Sequence, residues 1–334
     1  MIEYALEDLG FDQQRAEECV AKGLEGTLGR VSRVDRVALT ALTSSGPERV
    51  ETTAENEFVV GDWIIFDKQK VLRLDRRTEL ARQAGPRGSE RQAVAANVDL
   101  VLITHSLTAP FRINLLSTFL VMAFDAGALP ILVLTKRDLV EEAEALQTNY
   151  AERLGGIEAI VVSTATDQGV DPLRARISGH SVVFLGESGA GKSSLTNALC
   201  GSDFLVTGDI SRSGQGKHTT THRELIVLPT GGVVIDTPGV RDAASFDQGV
   251  GITLAFHDVI AAAEQCRFSD CSHEGTPGCA VDAALRDGLL IEERVEAYFA
   301  ERDHLASLGD ADSKPSRGSK GRRPRPPVED DRFE

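Results

Sequence analysis

Hydrophobic and polar positions follow two different patterns in the first part of the chain. Spaced apolar positions among many charges predict a helix over residues 2–22. Residues 25–75 instead contain five short β-like runs separated by turn residues such as SSGPE. Strands of this length and spacing predict a small all-β barrel such as an OB-fold. A fragment of a β-sandwich has the same periodicity, and the pattern does not separate the two.

A different pattern begins at residue 98, where apolar runs end in polar or Gly-rich turns. Helical patterns at 112–126, 139–154 and 192–200 lie between several of these runs. Apolar strands that alternate with helices predict a mostly parallel sheet covered on both faces. The strand-like runs are VDLVLITHS, LPILVLTK, IEAIVVST, SVVFLGES and GGVVIDTP.

The last part of the chain predicts helices around a Cys/His loop and then a tail rich in Pro, Gly, Ser and charge. Such a tail is expected to be disordered. A chain of 334 residues is long enough for two or three domains. The predicted segments are an N-terminal helical extension at 1–24, the barrel at 25–82, the α/β domain at 83–250, a small helical domain at 251–308 and the tail at 309–334.

The charge balance changes the expectation about partners. Lys and Arg number 36 against 51 Asp and Glu, a formal net charge of −15, which argues against a simple nucleic-acid binder. Residues 1–24 and 251–308 contribute −4 and −7, however, whereas the barrel is neutral. Residues 314–325 carry six basic side chains and no acidic one. The net charge therefore does not exclude local contacts to RNA through this basic run or through the barrel. The alternative for the run is a solvated linker.

Within the barrel, the candidates for RNA contact are three basic side chains and the single tryptophan. OB-folds bind single strands with a basic groove and stacking side chains. The same residues also fit surface charges and a core tryptophan. The candidates are Arg30, Arg33, Arg36 and Trp63.

No run approaches the 20 or so apolar residues that a membrane span requires, and the start lacks the basic and apolar regions of a secretory signal. We therefore expect a cytoplasmic protein with no membrane partner. The five cysteines are an odd number, which disfavours a disulfide framework. Cys19 and Cys200 stand alone and are expected to be packing residues.

The other three cysteines form a cluster with one histidine. Three thiolates and one imidazole within 14 residues predict a closed, structural zinc site, because zinc prefers four such ligands in a tetrahedron. The alternative is a group of buried thiols beside a surface histidine. The predicted ligands are Cys266, Cys271, His273 and Cys279.

The strongest motif is GESGAGKS at 186–193, which matches G-x-x-x-x-G-K-[ST] in full. An apolar strand precedes it and a helical pattern follows it, as a phosphate-binding loop requires. Lys192 is expected to reach the β- and γ-phosphates and to act in catalysis, and the Ser193 hydroxyl to ligate Mg²⁺. The predicted nucleotide contacts from this segment are Gly186, Glu187, Ser188, Gly189, Ala190, Gly191, Lys192, Ser193 and Ser194.

Two further segments complete the predicted phosphate site. Asp236, in DTPG at the end of a strand, is expected to orient the Mg²⁺ shell, and the Gly239 N–H to bond the γ-phosphate. In GKHTTTHR, a threonine can complete the Mg²⁺ coordination. Thr220 is favoured for this role, with Thr219 and Thr221 as alternatives.

A guanine-reading motif identifies the nucleotide. Thr135, Lys136 and Asp138 stand in T-K-R-D after an apolar strand. Asp138 can accept two hydrogen bonds from the guanine N1–H and N2–H₂, a donor pair that adenine lacks. The next strand ends in Ser163, Thr164 and Ala165, whose N–H groups can face the guanine O6. GTP or GDP with Mg²⁺ is therefore the predicted ligand.

The order of these motifs is permuted. The base-reading segments at 135–138 and 163–165 precede the phosphate loop, whereas ordinary small GTPases have the phosphate loop first. A circular permutation explains this order if the original termini were close together. A movement that the nucleotide causes at 239–250 would then act on the following helical domain.

The permuted order, the preceding barrel and the following Cys/His module resemble the family of ribosome small-subunit-dependent GTPases, RsgA or YjeQ, over nearly all of 25–300. Motifs that carry the resemblance include GESGAGKSSLTNAL, GKHTTTHREL, VIDTPGVRD and CRFSDCSH. The resemblance implies an OB-fold domain, a circularly permuted GTPase domain and a zinc domain. It also implies a late assembly factor of the 30S subunit that contacts rRNA and whose slow GTP hydrolysis the subunit stimulates. Nothing demands a dimer, and we expect a monomer.

Two departures leave the attacking water without an assigned partner. Val240 stands where Ras-like enzymes place a glutamine, and residues 241–247 contain no histidine. His257 lies further on without a supporting motif. Two alternatives to a subunit-stimulated enzyme therefore stay open: a nearly inert GTP-binding, rRNA-binding checkpoint module, and an ATP-dependent enzyme in which Asp138 is not involved.

Overall fold

The structure, a computed structural model, describes residues 3–52, 58–84, 90–201, 224–236, 249–273 and 275–313. Strands make up most of residues 27–106, strands and helices alternate from there to residue 236, and helices make up most of 250–313, an order that the hydrophobic pattern predicts for most of the chain. The strands are β1 (Thr27–Val34), β2 (Ala38–Thr43), β3 (Gly46–Glu51), β4 (Trp63–Phe66), β5 (Val71–Arg73), β6 (Glu79–Ala84), β7 (Glu90–Ala96), β8 (Leu100–Ser106), β9 (Leu129–Thr135), β10 (Ala159–Val161), β11 (Ser181–Leu185), β12 (Glu224–Val227) and β13 (Val233–Asp236). The helices are α1 (Gln13–Ala21), α2 (Ile113–Asp125), α3 (Ala143–Arg153), α4 (Val170–Ile177), α5 (Lys192–Cys200), α6 (Val250–Ala255), α7 (His257–Ala263), α8 (Ala280–Arg286) and α9 (Glu292–Ser313).

The N-terminal segment is not one helix over 2–22. Residues Glu7–Leu9 form a single 3-10 turn, and α1 begins only at Gln13. Gly10 lies between them at φ +83°, a left-handed conformation that ends the first turn and that glycine adopts without a Cβ clash. Asp12 then caps α1, since its side chain accepts a hydrogen bond of 2.9 Å from the Arg15 N–H.

The predicted OB-like domain is confirmed as a five-stranded antiparallel sheet. Its order is β3-β2-β1-β4-β5, so β1 is central and pairs with both β2 and β4. A register shift between Val31 and Arg33 marks a bulge in β1, a feature that bends and twists a strand towards closure. Val31, Leu39 and Ile64, none of which has exposed surface, form the centre of its core.

A hairpin of β6 and β7 links this sheet to the next one. The domain boundary predicted between residues 82 and 83 falls inside β6, because the hairpin was not visible in the apolar pattern. A bridge between Val60 and Ala95 ties the hairpin to the barrel.

The central sheet has six strands in the order β10-β9-β8-β11-β13-β12, all parallel except the antiparallel edge strand β12. Side chains of β8 alternate between its faces. Val101 and Ile103 pack in the cluster that contains Leu120 of α2, whereas Leu102 packs with Leu195 of α5 on the opposite side. Helices thus cover both faces, and the predicted doubly covered parallel sheet is confirmed.

Four local features differ from the sequence prediction. The helix expected at 139–154 begins at Ala143, after a 3-10 turn over Arg137–Leu139. Neither α4 nor the short strand β12 was predicted, because their apolar positions are too few to show a period. The last helix, α9, continues to Ser313, five residues into the segment predicted to be disordered. The basic run at 314–325 lies outside the described residues.

The C-terminal helices pack against α2. The Gly251 N–H of α6 donates to Asp125 Oδ1 at 2.6 Å, and a Cβ on Gly251 would overlap that carboxylate. In α9, the buried Arg294 donates to Asp258 Oδ1 of α7 at 3.1 Å and to the Ala255 carbonyl of α6. These bonds fix α6, α7 and α9 relative to one another. Among the described residues, no helix is both apolar and long enough to cross a membrane.

Candidate functional site

The predicted nucleotide-binding segments meet at one edge of the central sheet. TKRD follows β9, STA follows β10 and the Gly-rich loop follows β11, and these strands are parallel. Their carboxyl ends therefore lie side by side, which is where ligands bind in open α/β sheets. Asp236 ends β13 at the same edge, although its side chain is not described.

The Gly-rich loop has the conformation of a phosphate cradle. Gly186 lies at φ +142°, and a Cβ there would overlap the Thr104 carbonyl of β8. Helix α5 begins directly after Gly191, so its free N-terminal N–H groups face the loop. Lys192 Nζ bridges the loop by donating to the carbonyl oxygens of Gly186 at 2.5 Å and Glu187 at 2.6 Å. The side chains of Ser193 and Ser194 are exposed at the start of this helix.

Thr135 ties the base-reading strand to the phosphate loop. Its hydroxyl donates to the Ala190 carbonyl at 2.7 Å, although 55 residues separate them. A Cβ added at Gly191 would lie 3.4 Å from the Thr135 hydroxyl oxygen, which is ordinary van der Waals contact. The first residue of TKRD therefore supports the phosphate loop, a structural role that the motif alone did not reveal.

Asp138 and Ser163 join the two base-reading segments. The Ser163 hydroxyl, which is fully buried, donates to Asp138 Oδ1 at 2.5 Å and accepts from the Thr166 N–H at 3.2 Å. Lys136, between Thr135 and Asp138, has the left-handed φ of +62° that turns the chain sharply after β9. Asp138 and Ala165 are exposed, and Thr164 is half-buried. Ser163 thus holds the Asp138 carboxylate through one oxygen, and the side chain borders solvent.

Sequence reasoning missed one charged contact to the phosphate loop. Arg112, immediately before α2, donates to Glu187 Oε1 at 2.6 Å. The two residues are 75 positions apart, so no local spacing announces the pair. Because α2 also packs against α6 and α9, this ion pair joins the phosphate loop to the helix on which the C-terminal region rests.

The predicted switch residues fall outside the described part of the chain. Thr219, Thr220 and Thr221 lie in the gap between 201 and 224, and Gly239 and Val240 in the gap between 236 and 249. Their roles remain predictions from the sequence. His257, which is described, lies in α7 with its ring Nδ1 at 3.4 Å from the Leu254 carbonyl oxygen.

The structure brings the four predicted zinc ligands together. One ligand atom from each of Cys266, Cys271, His273 and Cys279 lies within 4.8 Å of all the others. His273 Nδ1 is 3.5 Å from the sulfur atoms of both Cys266 and Cys279, and these two sulfurs are 4.0 Å apart. A regular tetrahedron with zinc bond lengths has S···N near about 3.5 Å and S···S near about 3.8 Å. The donor set therefore fits zinc in both type and spacing.

Neighbouring backbone and side chains hold the ligands in place. The Ala280 N–H donates to Cys266 Sγ at 3.3 Å and the Asp282 N–H to Cys279 Sγ at 3.4 Å. Burial raises the pKa of the Cys279 thiol to about 11. Burial acts in the same direction on Cys266, but N–H donors from the start of α8 outweigh it and hold the pKa of that thiol below its usual value. The His273 ring stacks on Phe299 of α9, with centroids 6.0 Å apart.

Two of the four barrel residues considered for RNA contact are buried, so the expectation for them is wrong. Arg30 has no exposed surface, and Trp63 is 1% exposed. The Arg30 guanidinium lies 5.4 Å from the Trp63 ring centroid. Arg33 and Arg36 near the β1–β2 turn do reach solvent, although Arg33 also pairs with Asp35 at 3.2 Å.

Comparisons with known proteins agree with this geometry. Residues 73–245 match the family model of the RsgA GTPase. A Streptomyces coelicolor protein named small ribosomal subunit biogenesis GTPase RsgA is 40% identical over 328 residues, which cover 92% of this chain and 89% of that protein. The solved structure of YjeQ from Thermotoga maritima matches with a TM-score of 0.62 and 25% identity, over 84% of this chain and 98% of that one. The structure of YloQ, described as a circularly permuted GTPase, matches with a TM-score of 0.60 and 24% identity, over 87% and 97%.

Proposed function

This chain belongs to the RsgA GTPase family, and from that premise we propose that it hydrolyses GTP as an assembly factor of the small ribosomal subunit. The observation that carries the proposal is the meeting of the Gly-rich loop and both base-reading segments at one edge of the permuted sheet. Curated relatives named as small ribosomal subunit biogenesis GTPases supply the partner. A ribosome-bound factor of this kind works in the cytoplasm, on the subunit and its rRNA, as a monomer.

The phosphates of GTP bind over the loop at 186–193. N–H groups of the loop and of the first turn of α5 donate to their oxygens, and Lys192 neutralises the charge that develops on the β- and γ-phosphates. Its present bonds to the Gly186 and Glu187 carbonyls support this role, because they hold the ammonium across the mouth of the loop. Mg²⁺, when bound, would offset the charge of the β- and γ-phosphates.

Four residues of this chain are proposed to serve the Mg²⁺ ion and the γ-phosphate. The Ser193 hydroxyl, exposed at the start of α5, and Thr220 would ligate Mg²⁺, and Asp236 at the end of β13 would orient its shell. The Gly239 N–H bonds the γ-phosphate and is released on hydrolysis. The apolar Val240 cannot orient the attacking water, so we propose slow intrinsic hydrolysis that the bound subunit accelerates.

Guanine selectivity is proposed to rest on Asp138. The Ser163 hydroxyl donates to one oxygen of this carboxylate and fixes its orientation. The carboxylate can then accept hydrogen bonds from guanine N1–H and N2–H₂. Adenine would leave the carboxylate without these donors, and that loss disfavours ATP. The aliphatic stem of Lys136 packs over the base, Thr135 supports the pocket, and the N–H groups of 163–165 face the guanine O6.

The Cys/His cluster is proposed to hold one structural zinc ion. All four protein ligands are present, so the site has no open position for a substrate. When bound, zinc would fix the loop at 266–279 between α7 and α8. For RNA contact in the barrel, the accessible Arg33 and Arg36 replace the buried Arg30 and Trp63 as the proposed contacts.

The decisive experiment measures GTP hydrolysis and co-sedimentation with purified small ribosomal subunits. We expect subunits to raise kcat by at least about tenfold, and a non-hydrolysable GTP analogue to hold the protein on the subunit better than GDP does. Large subunits at the same concentration serve as the matched control and are expected to leave the rate unchanged.

The same experiment separates the alternatives. Nucleotide-dependent binding without stimulation would replace the enzyme with a nearly inert checkpoint module. Equal affinities for ATP and GTP would instead remove Asp138 from base recognition. A preference for GTP is expected, because the phosphate loop and both base-reading segments meet at one edge of the sheet.

A further inference from the structure

A polar cleft opens where the N-terminal segment, the barrel and the central sheet meet. Its volume is about 260 Å³, and Gly10, Trp63 and Ser181 are among the residues that line it. Asp99 and Ser181 place it at the amino ends of β8 and β11, whereas the phosphate loop follows the carboxyl end of β11. The cleft is therefore at the opposite end of the sheet from the nucleotide site. Ligand sites occur preferentially at such junctions between domains.

Two buried arginines line this cleft without a carboxylate partner. Arg15 is 2% exposed and Arg30 is fully buried, and within the described ranges neither side chain forms an ion pair. Other arginines with little exposure are paired: Arg76 contacts Asp62 at 2.7 Å, and Arg294 contacts Asp258 at 3.1 Å. Because a buried cation is costly unless an anion compensates it, the contrast points to a missing partner of negative charge.

The two guanidinium groups also have donors to spare. Arg30 donates to the carbonyls of Leu9, Gly61 (3.3 Å) and Asn97 (2.9 Å), which uses three of its five N–H groups. Arg15 donates to Asn97 Oδ1 at 2.5 Å and at 3.4 Å to the Asp75 carbonyl, which uses two. Two N–H groups of Arg30 and three of Arg15 thus form no hydrogen bond to the described residues.

The electrostatics of the pair agree with this geometry. Burial lowers the pKa of Arg30 to about 10; the charge of Asp99 opposes this shift, and the charge of Arg15 adds to it. Burial also lowers the pKa of Arg15, as does the nearby charge of Arg77, whereas Asp12 and Asp99 act in the other direction. An anion in the cleft would oppose both shifts, because it stabilises the charged guanidinium groups.

The carboxylates that line the cleft, Glu7, Asp12 and Asp99, form no ion pair with these two arginines, although the charges of Asp12 and Asp99 partly offset theirs. Asp12 forms a two-pronged pair with Arg77 at the rim and caps α1. Asp99 accepts from the Ser181 N–H at 2.7 Å. Aromatic side chains also line the cleft: the Phe11 and Trp63 ring centroids are 5.1 Å apart, and the Arg30 guanidinium lies over the Trp63 ring. The cleft thus combines convergent cationic donors with an apolar wall.

We infer that this cleft binds a small phosphate-bearing anion, held by Arg15 and Arg30 and closed at the rim by Arg77. Guanidinium forks match the oxygen spacing of phosphate, and a tetrahedral anion accepts more N–H donors than a carboxylate does. The volume accommodates inorganic phosphate or a small sugar phosphate. Since the lining comes from three parts of the chain, the anion would clamp the N-terminal segment and the barrel onto the nucleotide-binding sheet.

The single tryptophan gives a specific readout, because Trp63 lies in the cleft wall and no other tryptophan is present. The full-length protein is first saturated with GDP and Mg²⁺, so that the phosphate loop is occupied. Inorganic phosphate, ribose 5-phosphate and acetate are then titrated, with KCl at matched ionic strength. We expect a saturable change in fluorescence with one or both phosphates and none with acetate or KCl. The stronger of the two phosphates identifies the source.

Two variants test the assignment to these arginines. Arg77→Ala at the accessible rim and Arg15→Gln inside the cleft are each expected to weaken phosphate binding by at least about tenfold, the loss of a charge-assisted bond. Arg174→Ala, an exposed arginine of α4 that pairs with Asp171, is the matched control and should bind like the parent. Basal GTPase activity, expected to be unchanged in all three, verifies their folding.

Three results would overturn the inference. One is a non-saturable response to phosphate that KCl reproduces. Another is a response to acetate as strong as that to phosphate, which would remove the selectivity. The third is unchanged phosphate affinity in both Arg77→Ala and Arg15→Gln, since the carbonyls around Arg30 would then be its complete and sufficient partners.

Discussion

The nucleotide site and the Cys/His cluster are built in contrasting ways. Residues of the nucleotide site come from positions 135 to 236, and buried apolar strands of one parallel sheet bring them to the same edge. The cluster draws its four ligands from only 14 consecutive residues, three of them half-exposed. The core therefore shapes the first site in advance. In the second site only Cys279 is buried in the core, and the short loop that carries the ligands depends on its metal. Each prediction below tests that difference.

Loss of zinc is expected to have the largest effect. Cys271→Ser should abolish stoichiometric zinc binding and unfold the loop at 266–279, because metal affinity in such small sites, about 10 kcal/mol or more, is also folding free energy. Affinity for GDP should stay within about threefold of the parent, since the sheet does not use the metal. Zinc content, limited proteolysis and GDP titration measure these effects.

Cys19→Ser is the matched control for this variant, because Cys19 lies outside the cluster. It should retain one zinc ion and the parental protease resistance. A parallel fall of zinc content and GDP affinity in Cys271→Ser would break the comparison, since it would make the nucleotide site dependent on the cluster.

Lys192→Ala changes the nucleotide site and leaves the Cys/His cluster intact. Removing the ammonium that spans the Gly186 and Glu187 carbonyls should lower kcat/KM for GTP by about a hundredfold or more. Zinc content should stay at one ion per chain. Steady-state hydrolysis and metal analysis measure the two quantities, with Lys22→Ala, an exposed lysine of the N-terminal segment, as the control. Normal hydrolysis by Lys192→Ala would contradict the assignment.

The contrast also explains what the sequence could predict. Both the Gly-rich loop and the cluster are encoded by local spacing, so GESGAGKS and the four ligands were readable without a fold. The parallel sheet was readable as well, because its strands are continuous apolar runs. By contrast, the bond between Thr135 and Ala190 and the pair of Arg112 with Glu187 join distant positions and leave no local pattern.

Errors arose where tertiary packing overrides residue type. Arginine and tryptophan are residue types that RNA-binding surfaces use. Arg30, however, donates to three backbone carbonyls in the protein interior. Charge in a sequence does not say whether carbonyl dipoles will surround it. The break of the N-terminal helix at Gly10 was in turn hidden by apolar positions that keep a helical spacing on both sides.

Asp138→Ala sharpens the comparison within the nucleotide site. Affinity for GDP should fall by about tenfold to a hundredfold, because two hydrogen bonds to guanine are lost, while affinity for ADP stays unchanged. Asp171→Ala, an exposed carboxylate at the start of α4, serves as the control. Competition with a fluorescent nucleotide measures both affinities. An unchanged preference for guanine would mean that another residue reads the base.

The ion pair of Arg112 and Glu187 is expected to have the smallest effect. Both side chains are exposed, at 61% and 36%, so the pair should contribute less than about 1 kcal/mol. In a double-mutant cycle of Arg112→Ala and Glu187→Ala, GDP affinity should therefore change by less than about fivefold in each variant. The position of the loop rests instead on the close approach of Gly186 to Thr104 and on the buried Thr135 hydroxyl. A larger coupling free energy between Arg112 and Glu187 would show that this surface contact helps to position the phosphate loop through α2. The sheet alone would then not account for the conformation of the loop.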